Sequence, residues 1–328
     1  MNKKIISIEN LKFNIDTIKK MTTNKLCIMV KNNAYGHGIE NIVPPLDGEV
    51  EYFGVHSLDE ALKIKPFVSK SKILIVGQTS FFKQAYDNNF EVTIFSFEEL
   101  KRMILELKGL KIHAHIKINT GMNRLGISSI YEFKQILRNR HKFILEGIST
   151  HFSNISNTFY TNLQVDKFKE YIRFIPKLLR PLLHAGGSGM LCTSSCFDMI
   201  RVGIYAYGYG LKELKPVMKI TTTIMQVREI KAGESVGYDN LFTAQTKMKI
   251  GVLGLGYGDG FYREYNNAII FINNQPHKIL GKICMDSFMV ELFAEDHLGD
   301  TAVVMSNASQ LSSLTEYEVL SGFNQLRE

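Results

Sequence analysis

The stretch "LCIMVKNNAYGHG", residues 26–38, joins an apolar run to a turn that contains two glycines. A run that is apolar at successive positions is typical of a strand buried on both faces of a parallel sheet. Lys31 stands where this strand ends, and Gly36 and Gly38 permit the backbone a tight exit. The stretch therefore predicts a buried strand that delivers a lysine to one end of a sheet.

Seven further apolar runs follow, with amphipathic segments between them. They are residues 52–56, 73–77, 91–96, 112–118, 144–150, 182–187 and 200–208. A serine followed three residues later by a glutamate, the pattern of a capping box, opens helical segments at Ser57, Ser96 and Ser129. Eight strands separated by helices predict an α/β fold, a (β/α)8 barrel of the TIM type over residues 1–214. A doubly wound sheet is the alternative.

The pattern changes after about residue 214. Residues 216–230, 247–260, 268–280, 287–292 and 301–306 are strand-like and are separated by turn residues. The only clear helical segment is "LTEYEVLSGF", residues 314–323. These features predict a second, mostly β domain over residues 215–328, and the first few residues of the chain are expected to pack with it.

Composition limits the classes of protein that the chain can belong to. Of its 328 residues, 45% are hydrophobic, enough for a sizeable core. The start has no signal-peptide pattern, and no apolar run is long enough to span a membrane. Cys27, Cys192, Cys196 and Cys284 lack zinc-type spacing, so we expect reduced thiols, no metal and a cytoplasmic location. The net charge of +7 comes from scattered residues, which favours a solvated basic surface over nucleic-acid binding.

Seven motifs resemble those of the alanine racemase family, in the family's order. They are "VKNNAYGHG" at residues 30–38, "GMNRLG" at 121–126, "STHFSN" at 149–154, "RVGIYAYG" at 201–208, "VGYDNLFTA" at 236–244, "GYGDG" at 256–260 and "ICMDSFMVEL" at 283–292. The resemblance covers nearly the whole chain. It implies a barrel followed by a β domain, pyridoxal 5'-phosphate as cofactor, and loss and return of an α-proton on opposite faces of an amino acid.

The resemblance assigns the catalytic groups. Lys31 matches the Schiff-base lysine, which also serves as one base, and Tyr238 matches the opposing base. His151 and Arg201 match residues that link to this tyrosine. Arg201 also faces the pyridine nitrogen in the family, and an arginine does not readily give up its proton. The ring nitrogen then stays unprotonated, which disfavours transamination and decarboxylation.

The resemblance also implies the cofactor's phosphate contacts. Tyr35, Ser188, Gly203 and Ile204 match them, the last two through backbone N–H groups. The family usually has a further phosphate-binding tyrosine near its C-terminus, where this chain has residues 323–325, Phe, Asn and Gln. Cofactor retention is therefore expected to be weaker.

Substrate contacts are implied at four positions. Arg124 matches the residue that binds the substrate carboxylate, and Met285 matches one that contributes its backbone N–H. Tyr257 matches a residue that narrows the entrance. Lys117 matches a lysine that is carbamylated in some members, where the carbamate holds the arginine.

In the family, residues of the β domain complete the site of a partner subunit, which implies a homodimer. The expected reaction is interconversion of L- and D-alanine, supplying D-alanine for peptidoglycan. The alternatives are a racemase for another small amino acid such as serine, a related decarboxylase, and a non-catalytic pyridoxal-phosphate carrier. Arg201 argues against a decarboxylase, and Tyr238 in a second domain argues against a carrier.

Overall fold

Eight parallel strands close into a barrel in which each strand pairs with the next and the last pairs with the first. The computed structural model describes residues 1–176, 178–189, 196–311 and 314–327, so Cys192 lies outside the described residues. The barrel strands are β2 Lys25–Met29, β3 Tyr52–Val55, β4 Lys72–Ile75, β5 Glu91–Ile94, β6 His113–Lys117, β7 Ile144–His151, β8 Leu182–Gly186 and β9 Met199–Val202. The predicted barrel is confirmed, and the closed sheet excludes the doubly wound alternative.

The last barrel strand is shorter than its apolar run. The strand β9 ends at Val202, and the backbone then forms tight turns, with the N–H of Ala206 donating to the carbonyl of Gly203 at 3.0 Å. Ala206 and Tyr207 are nonetheless fully buried. The prediction of a strand to residue 208 was wrong because an apolar run reports burial, not extended backbone.

Helices pack between and around the strands. They are α1 Ile8–Met21, α2 Ile39–Ile42, α3 Leu58–Ile64, α4 Phe82–Asp87, α5 Phe97–Leu107, α6 Ile130–Arg138, α7 Thr158–Ile172 and α8 Glu316–Gly322. Short 3₁₀ turns lie at Pro44–Leu46, Lys65–Phe67, Arg140–Lys142, Tyr238–Asn240, Tyr257–Asp259, Arg263–Tyr265, Ala308–Gln310 and Phe323–Gln325. None of the helices within the described ranges has the length and apolar character needed to cross a bilayer.

The capping prediction is half right. Each of the three serines accepts a hydrogen bond from the backbone N–H three residues on, as an N-cap does. The glutamates do not return the bond to the serine. Glu60, for example, accepts from the backbone N–H groups of His56 and Asn32, both at 2.6 Å. The glutamate at the start of α3 therefore fixes the loop that carries the lysine.

The second part of the chain forms an antiparallel sheet in the order β1-β10-β13-β16-β15-β14-β17. Its strands are β1 Lys3–Ile6, β10 Met218–Ile230, β13 Met248–Leu253, β14 Ile269–Ile272, β15 Gln275–Leu280, β16 Phe288–Leu292 and β17 Thr301–Met305. The long strand β10 also pairs with β17, which closes the sheet on itself, while β1 comes from the N-terminus. A hairpin of β11 Ser235–Val236 and β12 Phe242–Thr243 projects from this sheet.

The turn after the first barrel strand is left-handed. Residues Asn32, Asn33, Ala34 and Tyr35 have φ values of 52°, 53°, 54° and 52°. Asparagine tolerates this conformation, but Ala34 and Tyr35 each cost about 1–2 kcal/mol there. The buried His37 donates from Nδ1 to the carbonyls of Ala34 and Tyr35, at 3.0 and 3.1 Å. The strain is thus held by contacts around the turn and not by its two glycines alone.

Candidate active site

One cavity of about 250 Å³ opens at the ends of the barrel strands where Lys31 stands. This is the end at which barrel enzymes place their active sites. Predicted site residues from five segments line it: Lys31, Tyr35, Lys117, Arg124, His151, Ser188, Arg201 and Gly203. Ile204 follows directly and is buried. The structure therefore brings eight of the nine barrel residues of the predicted site to one cavity, and the ninth, Ile204, is next to one of them in the chain.

Lys31 follows strand β2 and reaches the cavity from the left-handed turn. Burial lowers the pKa of its amine, and the positive charge of Arg124 lowers it further, while Glu60 acts in the opposite direction. An amine must be neutral to attack a carbonyl carbon. The surroundings of Lys31 therefore favour the form that can make a Schiff base.

Arg201 lies on strand β9 and is only 7% exposed. Its Nη2 donates to the carbonyl of Thr150 at 2.6 Å, and its Nη1 lies 2.5 Å from Nδ1 of His184. Burial lowers the pKa of the guanidinium to about 10, which still leaves it protonated at neutral pH. The side chain therefore enters the cavity as a fixed, charged donor.

A missing side chain allows His151 and Arg201 to approach each other. A Cβ on Gly186 would overlap His151 Nδ1 and would lie 2.6 Å from Arg201 Nη2. Burial lowers the pKa of His151 to about 2, with further contributions from the charges of Lys117 and Arg201. His151 is therefore a neutral ring beside the Arg201 cation and the Lys117 amine.

The residues predicted to bind the cofactor's phosphate also lie close to one another. Ser188 Oγ accepts from the backbone N–H of Gly203 at 3.0 Å. A Cβ on Gly203 would lie 2.7 Å from the hydroxyl of Tyr35, so glycine makes the space that the hydroxyl occupies. Burial raises the pKa of Tyr35, which keeps its hydroxyl protonated and able to donate. The Tyr35 hydroxyl, the Ser188 hydroxyl and the Gly203 amide therefore lie next to one another at the cavity, as donors for one anion would.

Lys117 is the last residue of strand β6 and is partly buried, and it lines the cavity. Burial lowers the pKa of its amine well below the usual value, and the charges of Arg201 and Arg124 lower it further. The amine is consequently driven toward its neutral form. A neutral amine is the form that reacts with carbon dioxide to give a carbamate.

The three predicted site residues of the second domain lie away from this cavity. Tyr257, Met285 and Tyr238 do not line the cavity, and Tyr238 is 63% exposed and Met285 53%. Their turns are neighbours, because the N–H of Tyr257 donates to the carbonyl of Cys284 at 3.0 Å. An ion pair between Asp239 and Lys282 ties the Tyr238 turn to the same region. One chain therefore carries two separate groups of site residues.

Family models match both parts of this architecture. The model "Alanine racemase, N-terminal domain" matches residues 6–210, and "Alanine racemase, C-terminal domain" matches residues 217–325. The chain belongs to the alanine racemase family. It is an enzyme of that family, whose members depend on pyridoxal phosphate.

Individual relatives agree along their whole length. A curated alanine racemase from Francisella tularensis subsp. tularensis is 30% identical, over 99% of this chain and 98% of its own. The crystal structure of alanine racemase from E. faecalis superposes with a TM-score of 0.92 at 26% identity, covering 99% of this chain and 96% of its own. An alanine racemase structure from Clostridium difficile 630 gives 0.90 at 27% identity, covering 98% and 92%.

The alanine racemase motifs do not include every residue at the cavity. Tyr317 on helix α8 lines it, with its ring 5.7 Å from the ring of Tyr35. Sequence reasoning looked for a tyrosine at residues 323–325, where Phe323 is fully buried and Asn324 donates to the carbonyl of Asn32. No local signal marks Tyr317, because its place depends on how α8 packs on the left-handed turn.

Three buried polar residues behind Arg201 were also missed as site residues: Glu91, His115 and His184. A signal was present for one of them. Side chains two residues apart on a strand share a face, so "HAHIK" places His115 on the face of Lys117.

Proposed function

We propose that this member of the alanine racemase family interconverts L- and D-alanine with pyridoxal 5'-phosphate by a two-base mechanism. The observation that carries the proposal is the convergence of Lys31, Arg201 and the Tyr35–Ser188–Gly203 donors on one cavity. These donors suit the cofactor's phosphate, and the space beside Gly203 would be lost with any larger residue. When bound, the cofactor supplies the electron sink for an amino-acid Cα.

The chain's own groups manage the proton. Lys31, whose surroundings favour the neutral amine, would hold the cofactor and would take or return the α-proton on one side of the substrate. Tyr238 acts on the other side. Arg201, which keeps its proton, would face the cofactor's ring nitrogen and leave it unprotonated, which would weaken the electron sink that the cofactor supplies. His151 and Arg201 orient the tyrosine.

The second base implies a second copy of the chain. Tyr238, Tyr257 and Met285 lie together outside the cavity of their own chain. We propose a homodimer in which this surface closes the cavity of the other copy, with two equivalent sites related by a two-fold axis. Arg124 binds the substrate carboxylate, the backbone N–H of Met285 assists it, and Tyr257 keeps the entrance narrow. D-alanine for peptidoglycan, made in the cytoplasm, is the proposed product.

A carbamate on Lys117 completes the substrate site. Its formation from a neutral amine and carbon dioxide releases a proton, so we expect it to form at pH 8 and to be lost as the pH falls. A ¹³C NMR spectrum of protein kept in ¹³C-bicarbonate should show a carbamate carbon. The signal should disappear in Lys117→Ala and persist in Lys111→Ala, which changes an exposed lysine. A spectrum without that carbon at pH 8 would show that Lys117 is unmodified.

We also assign Tyr317 to the phosphate group, because its ring shares the cavity wall with Tyr35. Tyr317→Phe should weaken cofactor binding about fivefold to tenfold, the worth of one hydrogen bond. Equilibrium dialysis against pyridoxal phosphate measures this. Tyr131→Phe, at an exposed position of α6, is the control. Equal cofactor affinity in Tyr317→Phe and wild type would exclude the contact.

The experiment that tests the function follows circular dichroism of L-alanine and, separately, L-serine with the purified, cofactor-loaded protein. Decay of the L-alanine signal to zero with slower decay for serine supports the proposal. Faster decay for serine selects the serine racemase. Loss of the signal together with release of carbon dioxide identifies a decarboxylase. An unchanged signal with both amino acids would favour the non-catalytic pyridoxal-phosphate carrier.

A further inference from the structure

A line of buried polar side chains runs from Arg201 to the opposite end of the barrel. His184 Nε2 lies 2.9 Å from His115 Nδ1, and His115 Nε2 lies 2.6 Å from Glu91 Oε2. Glu91, His115 and His184 are at most 3% exposed. The two histidines come from β6 and β8, and they meet over Gly147 of β7, where a Cβ would overlap His115 Nδ1. The four side chains thus form one connected chain inside the barrel.

The direction of every hydrogen bond in this chain is fixed from the arginine end. A guanidinium only donates, so His184 Nδ1, 2.5 Å from Arg201 Nη1, must accept and carries no proton. His184 then bears its proton on Nε2 and donates to His115 Nδ1. His115 in turn bears its proton on Nε2 and donates to the carboxylate of Glu91. Both histidines are therefore neutral, each with its proton on Nε2.

We propose that Glu91 is a positioning residue for Arg201, acting through His115 and His184; this rests on the proposed function, in which Arg201 faces the cofactor ring. A carboxylate only accepts, so it holds the His115 proton on Nε2. Without that acceptor, His115 is free to carry its proton on Nδ1 and to donate it to His184 Nε2. His184 must then carry its own proton on Nδ1, where this N–H faces the N–H groups of Arg201 and no hydrogen bond can form. Glu91 thereby keeps Arg201 oriented from the far end of the barrel.

The carboxylate of Glu91 is itself held in place. Lys72 Nζ lies 2.7 Å from its second oxygen, Oε1. Burial alone raises the pKa of Glu91, but the hydrogen bonds from His115 and Lys72 reverse this and lower it. Burial also lowers the pKa of His184 well below its usual value, as the neutral ring requires. The ligand atoms of Glu91, His113 and Glu146 lie close enough together to bind one metal ion. Lys72 Nζ, however, forms ion pairs with the carboxylates of both Glu91 and Glu146.

The first test needs no activity. Protein labelled with ¹⁵N at histidine, without cofactor, should show His115 and His184 as neutral rings protonated at Nε2, assigned by the loss of each signal in its own glutamine variant. A signal for either residue as the Nδ1–H form or as imidazolium would overturn the proposal. This measurement remains decisive if the protein fails to racemise alanine, an outcome that would reject the proposed function alone.

The second test compares Glu91→Leu with Glu146→Leu, because leucine has no hydrogen-bond acceptor whereas glutamine would keep one. Both glutamates contact Lys72, but Glu146 bonds to His113, which is outside the line. Glu91→Leu should abolish the single-tautomer signals of both buried histidines and lower kcat about tenfold, as loss of an outer orienting partner does at metal sites. KM for alanine should stay within about twofold, because no substrate contact changes. Unchanged histidine signals in Glu91→Leu, or an equal loss of kcat in Glu146→Leu, would overturn the proposal.

Discussion

Lys31→Ala is expected to lose the Schiff-base absorbance and to lower alanine racemisation about 10⁴-fold or more, as removal of a central catalytic group does. The substitution removes both the covalent anchor and one of the two proposed bases. It should leave phosphate donors in place, because the hydrogen bond from the Gly203 N–H to Ser188 Oγ does not involve the lysine. Cofactor should therefore still bind, more weakly and without the Schiff-base band. Absorbance spectra and circular dichroism of L-alanine measure the two effects.

The matched control is Lys63→Ala, on helix α3 beside the lysine turn but outside the principal cavity. It should retain the absorbance band and full activity. A Schiff-base band that survives in Lys31→Ala would assign the anchor to another lysine. Lys117, whose amine has a pKa lowered by burial, would then be the next lysine to replace.

Tyr238→Phe is expected to lower racemisation about 10²- to 10⁴-fold, the range for removal of a general acid or base. The Schiff-base absorbance should remain, because Tyr238 lies outside the cavity that contains Lys31. The variant should still exchange the α-proton of one enantiomer with solvent deuterium, since Lys31 can act alone on its own side. Tyr262→Phe, a partly buried tyrosine of the same domain, is the control.

Mixing variants tests whether the two groups of residues meet between copies. A heterodimer of Lys31→Ala and Tyr238→Phe chains has one intact site, so random mixing should recover about a quarter of wild-type activity. A mixture of Lys31→Ala and Arg201→Ala chains should recover none, because both residues line the same cavity. Recovery in neither mixture, or an active monomer by sedimentation, would refute the shared site.

The strands were predictable because a buried strand leaves a direct trace in the sequence. All eight barrel strands coincide with apolar runs, since both faces of a parallel barrel sheet are covered. The left-handed turn was only partly predictable from the sequence. Gly36 and Gly38 suggested a tight exit, but Ala34 and Tyr35 adopt positive φ through contacts with His37 that neither residue encodes.

The site was predictable where its residues sit in short motifs. Lys31 with Tyr35, and Arg201 with Gly203, are neighbours in the chain, so a motif captures them together. Tyr317 reaches the cavity only because helix α8 packs on the left-handed turn, where a Cβ on Gly36 would overlap the carbonyl of Leu320. Glu91 connects to Arg201 through two other strands. Such relations arise from tertiary packing and have no local pattern.

The pairing of β1 with β10 has a consequence for the order in which the chain can fold during synthesis. Ile6 lies opposite Met218, about 210 residues later in the chain. At a ribosomal rate of roughly 5–20 residues per second, the first strand waits for about 10–40 seconds before its partner emerges. All eight barrel strands are made in that interval, because β9 ends at Val202, whereas β13 to β17 of the second sheet follow β10 in the chain. Strand β1 therefore stays unpaired while the barrel is made, and its pairing with β10 is available before the rest of the second sheet has been synthesised.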